Sequence, residues 1–295
     1  MRRAVIDLGT NTFNLLVGEI NDGKLTVLYS TKRPVLLGMG GINQGRITQD
    51  AMQRAEEALS EFKLICDQHG AQSIKGIGTS ALRAASNNLQ LVNFALERLG
   101  ISIEIVSGEK EAEYIYSGVC GSHKILEPSI IMDIGGGSTE FIHADQSRLL
   151  GMSSLDIGVS RIFQQLDRPG EYSEQDVSYI LEFLETTEGG ALKGMDSNVL
   201  IGSSGSFETL YEMTFKRSFP LTNEAVEIPI NELKKVLNDC ISSTLEERMQ
   251  NEWIVPIRKK MLPIATVKIR WIVEKFGIQN VYVSPYSLKE GVMLS

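Results

Sequence analysis

Two short segments of this chain place an aspartate between an apolar stretch and a loop of small residues. The first covers residues 4–16 and contains Asp7, and the second covers residues 130–142 and contains Asp133. A loop of this kind presents backbone N–H groups, and its small side chains let an anion approach them closely. The aspartate adds a carboxylate suited to Mg²⁺ or to an attacking water. Two such segments facing each other predict a site that grips a phosphate from both sides.

The second loop is the more specific of the two. Three consecutive glycines favour a phosphate cradle over a packing role, because glycine costs backbone entropy unless its conformation is used. Asp7 taken alone is also typical of a carboxylate that caps a turn. Glu140 has two open interpretations, a functional carboxylate or an ordinary exposed strand residue. The residues predicted to bind phosphate in the two loops are Thr10, Asn11, Thr12, Gly135, Gly136, Gly137 and Ser138.

Charged residues that could join this site occur in two other segments. Arg83 follows a strand that reads as buried, and ligand sites form at the carboxyl ends of such strands. Its guanidinium could direct two N–H groups at a phosphate, although a surface arginine at a helix start is the alternative. Glu111 lies in the acidic run 107–113. Acids in the first turn of a helix complement its dipole without any catalytic role, so composition alone does not select Glu111.

A further small-residue turn occupies residues 201–206, between a predicted strand and a predicted helix. Its N–H groups could hold a phosphate or a nucleotide, and a tight connection between strand and helix is the alternative. The binding residues predicted here are Gly202, Ser203, Ser204 and Gly205.

The elements that must position these residues alternate between strands and helices, and the pattern starts again at residue 129. Asn21, Asp22 and Gly23 form a strong hairpin-turn signal, and Thr48 is a good N-cap for a helix that Gly70 would end. Strands are predicted at 3–8, 13–20, 24–30, 73–78, 101–106, 197–201 and 279–283, with a further set between 129 and about 156. Helices are predicted at 48–69, 87–99, 109–118, 158–167, 174–188, 206–213, 229–245 and 262–276. This repeat predicts an α/β protein with an internal duplication.

The length and composition are typical of a two-domain enzyme and argue against a nucleic-acid-binding or membrane-spanning protein. The 295 residues are enough for two cores, and the net charge of −8 has the wrong sign for a general nucleic-acid binder. No apolar run is long enough to span a membrane and no signal sequence is recognisable, so a cytoplasmic protein is expected. The scattered cysteines and histidines predict oxygen ligands for any metal. A local basic groove could draw on Lys32, Arg33, Arg46, Arg83 and the cluster 258–260, most of which are expected to be solvated surface charges.

Taken together, these segments resemble the exopolyphosphatase and guanosine pentaphosphate phosphohydrolase family, within the actin-like, sugar-kinase and chaperone ATPase superfamily. The resemblance runs along almost the whole chain. The matching motifs are AVIDLGTNTF at 4–13, TSALRA at 79–84, SGEKEA at 107–112, DIGGGSTE at 133–140, GSSG at 202–205 and KEG at 289–291. It implies two ribonuclease-H-like domains, 1–122 and 123–295, with the active site in the cleft between them and the last helix packed back on the first domain.

The resemblance also implies roles for individual residues. Glu111 corresponds to the family's catalytic glutamate, which orients or deprotonates the attacking water, and Arg83 would bind the phosphate chain. Asp133 and Asp7 would hold Mg²⁺, and Glu140 would join Glu111 as a catalytic residue. For Asp7 and Glu140 the choice between acting on the metal, on the water or on the structure stays open. The implied reaction releases terminal phosphate from inorganic polyphosphate or from a guanosine polyphosphate.

Four departures from the family pattern bear on the substrate. Leu36 stands where many relatives carry an arginine, Ile264 replaces the usual glycine after Pro263, and residues 284–289 read SPYSLK. The chain also ends at Ser295 without the C-terminal helical extension of longer members, so short-chain polyphosphate is the expected substrate. The alternatives are guanosine pentaphosphate hydrolysis and a non-hydrolytic sensor of polyphosphate or nucleotide. A homodimer that covers the surface left without the extension is a further hypothesis.

Overall fold

Residues 1–146, 148–166, 170–220 and 222–295 are described by the computed structural model of the chain. The first half forms β1 (Arg2–Leu8), β2 (Thr12–Asn21), β3 (Lys24–Pro34), α1 (Gln49–Gln68), β4 (Ser73–Gly78), α2 (Ser80–Ala84), α3 (Asn88–Leu99), β5 (Ser102–Ile105) and α4 (Gly108–Ser122).

The second half begins with a similar run of strands. Its elements are β6 (Ser129–Ile134), β7 (Thr139–Asp145), β8 (Arg148–Leu155), α5 (Val159–Phe163), α6 (Glu174–Glu188), β9 (Val199–Ser203), α7 (Gly205–Phe215), β10 (Val226–Glu227), α8 (Ile230–Ser242), α9 (Leu245–Gln250), α10 (Leu262–Phe276), β11 (Asn280–Val283) and α11 (Leu288–Leu294).

The two halves contain sheets of the same topology, which confirms the predicted α/β fold with an internal duplication. The first sheet has the order β3-β2-β1-β4-β5, and the second has the order β8-β7-β6-β9-β11 with β10 added at its edge. In each sheet an antiparallel meander of three strands is extended by two parallel strands. β1 and β6 therefore occupy equivalent central positions, and their carboxyl ends carry Asp7 and Asp133.

Local sequence signals account for much of the first half. Asp22 and Gly23 both have positive φ, 52° and 73°, as the tight turn between β2 and β3 requires. The Thr48 side chain accepts a hydrogen bond from the backbone N–H of Ala51 and caps α1. The turn pairs β2 with β3, while β1 and β2 pair in an antiparallel register up to Leu8 and Phe13, so that the loop between β1 and β2 is held from both ends.

Helix α4 departs from the prediction, which ended it at Gly118. The helix continues to Ser122, and Gly118 does not end it. Its missing side chain instead allows a close contact with the start of α11. A Cβ on Gly118 would overlap the carbonyl oxygen of Ser287, and one on Gly291 would overlap that of Tyr114. The backbones of α4 and α11 can thus approach closely, and both helices contribute to an apolar cluster between the two sheets that includes Ile115, Ile131, Leu288 and Met293. The boundary between residues 122 and 123 stays a prediction.

Other predicted elements are shorter than expected. The helix expected at 229–245 is α8, which ends at Ser242. Helix α9 was not predicted; it starts where the Thr244 side chain accepts a hydrogen bond from the N–H of Glu247. The helix expected at 158–167 is α5, and residue 167 lies outside the described residues. Helices α2 and α11 were not predicted, since each is short and lacks a distinct apolar period. Within the described ranges, the structure contains no helix with the length and apolarity to cross a membrane.

Candidate active site

The carboxyl ends of β1 and β6 open into a cleft of about 780 Å³ between the halves. Both aspartates line it, together with Thr10, Asn11 and Thr12 from the first loop and Gly135, Gly136, Gly137 and Ser138 from the second. The structure thus brings all of these predicted loop residues to one cavity.

The two loops contact each other across the closed side of this cleft. A Cβ on Gly136 would lie 2.9 Å from both Thr10 and the Asn11 side chain. Ser160, at the start of α5, donates its hydroxyl to Asn11 Oδ1 over 2.6 Å. Backbone N–H groups of residues 158–160 donate to the carbonyls of the glycine loop. The loop conformation is therefore fixed by α5, and the absence of a side chain at Gly136 allows the halves to meet.

Each aspartate has a different partner on the adjacent strand. In the antiparallel register Asp7 lies opposite Asn14, whose Nδ2 donates to Asp7 Oδ2 over 2.9 Å. Asp133 lies opposite Glu140, and accepts a hydrogen bond from the Ser203 hydroxyl at 3.0 Å. The second half consequently holds two adjacent acids where the first holds an acid and an amide.

Glu140 is 1% exposed, so its interpretation as an ordinary exposed strand residue is wrong. Ser154 of β8 donates to Glu140 Oε1 over 2.8 Å. Gly108 at the start of α4 packs directly against Ser154, since a Cβ there would overlap the serine side chain. This contact brings α4 of the first half against the acidic pair of the second half.

Helix α4 carries Glu111 into the cleft. Glu111 is 7% exposed, while Glu109 is exposed and the Glu113 side chain is half-exposed, so the fold separates three glutamates that composition could not. Arg83 Nη1 lies 2.9 Å from Glu111 Oε2 and also donates to the carbonyl of Val106. Arg83 therefore fixes the orientation of Glu111, a contact that the sequence did not predict.

The carboxyl groups at this site have raised pKa values, mainly because they are buried. Burial and the nearby charge of Glu140 raise the pKa of Glu111 well above its usual range, although Arg83 opposes the shift. Burial likewise raises the pKa of Asp7 to about 7 and that of Glu140 to about 7, with Asp133 adding to both. Burial also raises the pKa of Asp133. A buried acidic cluster of this kind favours either a bound proton or a bound cation.

Asp7 and Asp133 both line the cleft and could hold such a cation. Among the described residues no three His, Cys, Asp or Glu side chains form a metal-binding cluster. Mg²⁺ does not require one, because proteins hold it with one or two carboxylates, several waters and phosphate oxygens of the substrate. The donor set of one buried acid, Asp133, and one partly buried acid, Asp7, beside a phosphate-sized loop therefore fits Mg²⁺.

The turn at 202–205 is divided between two roles. Gly202 packs beneath the ring of Phe207, and Ser203 is fully buried where it holds Asp133. Ser204, with φ of 74°, and Gly205 line the cleft. The structure thus brings Ser204 and Gly205 to the cavity and gives Gly202 and Ser203 supporting positions behind it.

Several cleft residues had not been assigned a role from sequence. Lys289 lies close enough to Asp7 to lower the pKa of that acid. It also forms an ion pair with Glu290, with 2.8 Å between Lys289 Nζ and Glu290 Oε1. Arg258 lines the cleft and donates to Thr209, although a solvated surface position was expected. Asn14 could have been found from the sequence, since it stands relative to Asp7 as Glu140 stands relative to Asp133.

Comparisons with known proteins show the same fold and identify a family. The profile of the Ppx/GppA phosphatase family matches residues 16–295. A solved exopolyphosphatase from Cytophaga hutchinsonii is 32% identical with a TM-score of 0.94, covering 99% of this chain and 96% of that one. A Ppx/GppA family structure from Aquifex aeolicus is 25% identical with a TM-score of 0.83, covering 100% and 96%.

Curated relatives are longer. A guanosine-5'-triphosphate,3'-diphosphate pyrophosphatase from Aeromonas hydrophila is 29% identical over 98% of this chain but only 58% of its own length. The chain therefore spans little more than half the length of the curated relatives it matches.

Proposed function

The chain belongs to the Ppx/GppA phosphatase family, and from that premise we propose that it hydrolyses the terminal phosphoanhydride bond of inorganic polyphosphate. The observation that carries this proposal is the position of Glu111, buried and held by Arg83, in the same cleft as the two aspartate-ended loops. A carboxylate facing a phosphate cradle is the arrangement that a water-mediated phosphoryl transfer needs.

In the proposed reaction a water oxygen bonds to the terminal phosphorus as the bridging P–O bond breaks. The electron pair of that bond leaves with the shortened polyphosphate, and orthophosphate is released. Glu111 orients the water and accepts its proton, a role favoured by the raised pKa of this carboxyl. Backbone N–H groups of residues 10–12 and 135–138 would stabilise the charge on the transferred phosphoryl group.

Mg²⁺ is the proposed cofactor, with Asp133 and Asp7 as its protein ligands. When bound, it would neutralise charge on the phosphate oxygens and on the acids of the site. The raised pKa values of Asp7 and Asp133, caused mainly by burial, support this assignment, since a cation would stabilise their ionised forms. Ser80 adds a buried hydroxyl without a protein partner on the cleft wall, beside Gly137, where a phosphate or water oxygen could accept its hydrogen bond.

Cationic side chains support a polyphosphate of short length as the substrate. Lys32, Arg258 and Lys289 line the cleft at different points, so successive phosphates could each meet a positive charge. The full-length similarity to a solved exopolyphosphatase supports the same choice.

Guanosine pentaphosphate is the second candidate. One part of the cleft wall is formed by Phe219, Pro220 and Ile257 with Glu212 beside them. Apolar surface and a carboxylate acceptor are of no use to a chain of phosphates, whereas a purine base could stack there and donate hydrogen bonds. The names of the curated relatives favour the same substrate class.

The test is phosphate release with Mg²⁺ from triphosphate, medium-chain and long-chain polyphosphate, and guanosine pentaphosphate, with Glu111→Gln as the control. Release from short polyphosphates that is lost in the variant supports the proposal. Release from the nucleotide alone promotes the second candidate. Binding without release from any of these compounds would instead indicate a sensor.

A further inference from the structure

A lysine buried behind the glycine loop takes no part in the reaction proposed above. Lys268 of α10 is 0% exposed, and its ammonium group donates to the hydroxyl of Thr139 and, over 2.7 Å, to the carbonyl of Ile157. No carboxylate of the described residues lies within ion-pair distance of it. A buried ammonium with only neutral contacts is costly, so its compensation must come from charges farther away.

Those charges are the paired acids of the second half. Asp133 and Glu140 face each other across β6 and β7, and Thr139 is the first residue of β7. Both acids act electrostatically on Lys268. Burial lowers the pKa of Lys268 to about 7, even though the two acids favour its ammonium form and oppose the shift. Lys268 in turn favours the ionised form of Asp133.

The two contacts of Lys268 also connect the end of the glycine loop to the segment before α5 that supports it. Thr139 directly follows the loop, and Ile157 directly precedes the Gly158 turn from which α5 starts. N–H groups of residues 158–160 bind the loop carbonyls. The ammonium group therefore fixes the distance between the loop and the segment that shapes it.

We propose that Lys268 is a positioning residue of the active site: it is an internal cation that holds the Asp133–Glu140 pair and the glycine loop in place. The expected effect of Lys268 on catalysis rests on the proposed function, but its stabilisation of the charged Asp133–Glu140 pair does not. Lys268 does not touch the substrate in this proposal, because it is fully buried and is not among the residues that line the cleft.

The first experiment is a double-mutant cycle on thermal unfolding in EDTA at neutral pH, with Lys268→Met, Glu140→Gln and the double variant. Lys268→Met leaves two acids without their internal cation and should lower the unfolding midpoint by about 5–10 °C. Glu140→Gln should recover most of that loss in the double variant, because one of the acids is gone. Losses that simply add in the double variant would overturn the proposal.

A matched control is Lys234→Met, an exposed lysine on the neighbouring helix α8, whose midpoint should not change measurably. The second measurement is the shift in midpoint caused by Mg²⁺. It should be larger in Lys268→Met than in the wild type, because the metal replaces the missing cation. An equal shift in both proteins contradicts the charge role. If Mg²⁺ moves neither midpoint, the metal assignment fails while the cycle in EDTA still decides the role of Lys268.

Kinetics provide a third readout if the chain hydrolyses polyphosphate. Lys268→Met should lower kcat by about tenfold and leave KM within about twofold, because a misplaced loop affects the transferred phosphoryl group more than substrate capture. An unchanged kcat would mean that Lys268 does not position the loop.

Discussion

The loops after β1 and β6 have the same strand context but different chemical surroundings. Asp7 is paired with the amide of Asn14, whereas Asp133 is paired across the strands with a second acid, Glu140. The second loop is also bound by N–H groups of α5 and supported by Lys268. The duplication therefore supplied two equivalent frames, and only one of them acquired the acidic pair and its internal counter-charge.

The first half contributes to the site by another route. Its helix α4 lies between the sheets and brings Glu111, oriented by Arg83, against the acids of the second half. We infer a division of labour in which the second half binds and orients the phosphoryl group while the first half delivers the residue that acts on water. The predictions below test this division.

The largest effect is expected from Glu111→Gln. Loss of the general base should reduce kcat by about a thousandfold, equivalent to about 4 kcal/mol, while KM changes by less than about threefold. Glu113→Gln, on the same helix but half-exposed, is the matched control. Steady-state phosphate release measures both, and near-normal turnover in Glu111→Gln would remove Glu111 from its proposed role.

The two aspartates should respond unequally to loss of charge. Asp133→Asn should raise the Mg²⁺ concentration for half-maximal activity by about a hundredfold, because it lies within the acidic pair. Asp7→Asn should raise it by only about tenfold, since its strand partner is an amide. Mg²⁺ titrations of the two variants decide the point, and equal shifts would mean that the halves contribute equally to the metal.

The acidic pair should make metal-free stability depend on pH. The pKa of Glu140 is raised by burial from 4.5 to about 7, so the folded state holds its proton more tightly than the unfolded state does. The contribution of Glu140 to the free energy of unfolding should therefore fall by on the order of 3 kcal/mol as the pH rises from 4.5 to 7. Glu140→Gln should remove this contribution and leave that of Asp7, whose pKa burial also raises to about 7.

Urea unfolding in EDTA at pH 5 and pH 8 provides the measurement. Asn14→Ala serves as the control from the first half, because it removes the equivalent strand partner without removing a charge. A pH dependence in Glu140→Gln as large as that of the wild type would assign it wholly to the other acids of the cluster.

A smaller effect on kcat than that of Glu111→Gln is expected from Arg83→Ala. Because Arg83 holds Glu111 and is proposed to bind the phosphate chain, the variant should raise KM by about tenfold and lower kcat by a similar factor. Arg33→Ala breaks an exposed ion pair with Glu61 and should leave both constants unchanged. An effect on KM alone would indicate that Glu111 keeps its orientation without Arg83.

Local signals explain why parts of the site could be predicted from sequence. The glycine run, the aspartates at strand ends and the Thr48 cap act through backbone chemistry within a few residues. Gly118 was predicted to end α4, whereas it allows a close contact with Ser287 at the start of α11, which is far away in the sequence. The same distance hides the contact of Gly108 with Ser154, which brings Glu111 near Glu140.

The sequence by itself determined the duplicated strand pattern, the two loops and the residue types available for phosphate chemistry, since these depend on periodicity and on short motifs. Only the tertiary structure decided which of several similar acids are buried together. Burial and charge–charge distance are set by the packing of elements far apart in the chain, and these two quantities separate Glu111 from Glu109 and Glu113, make Glu140 part of the site and place Lys268 behind it.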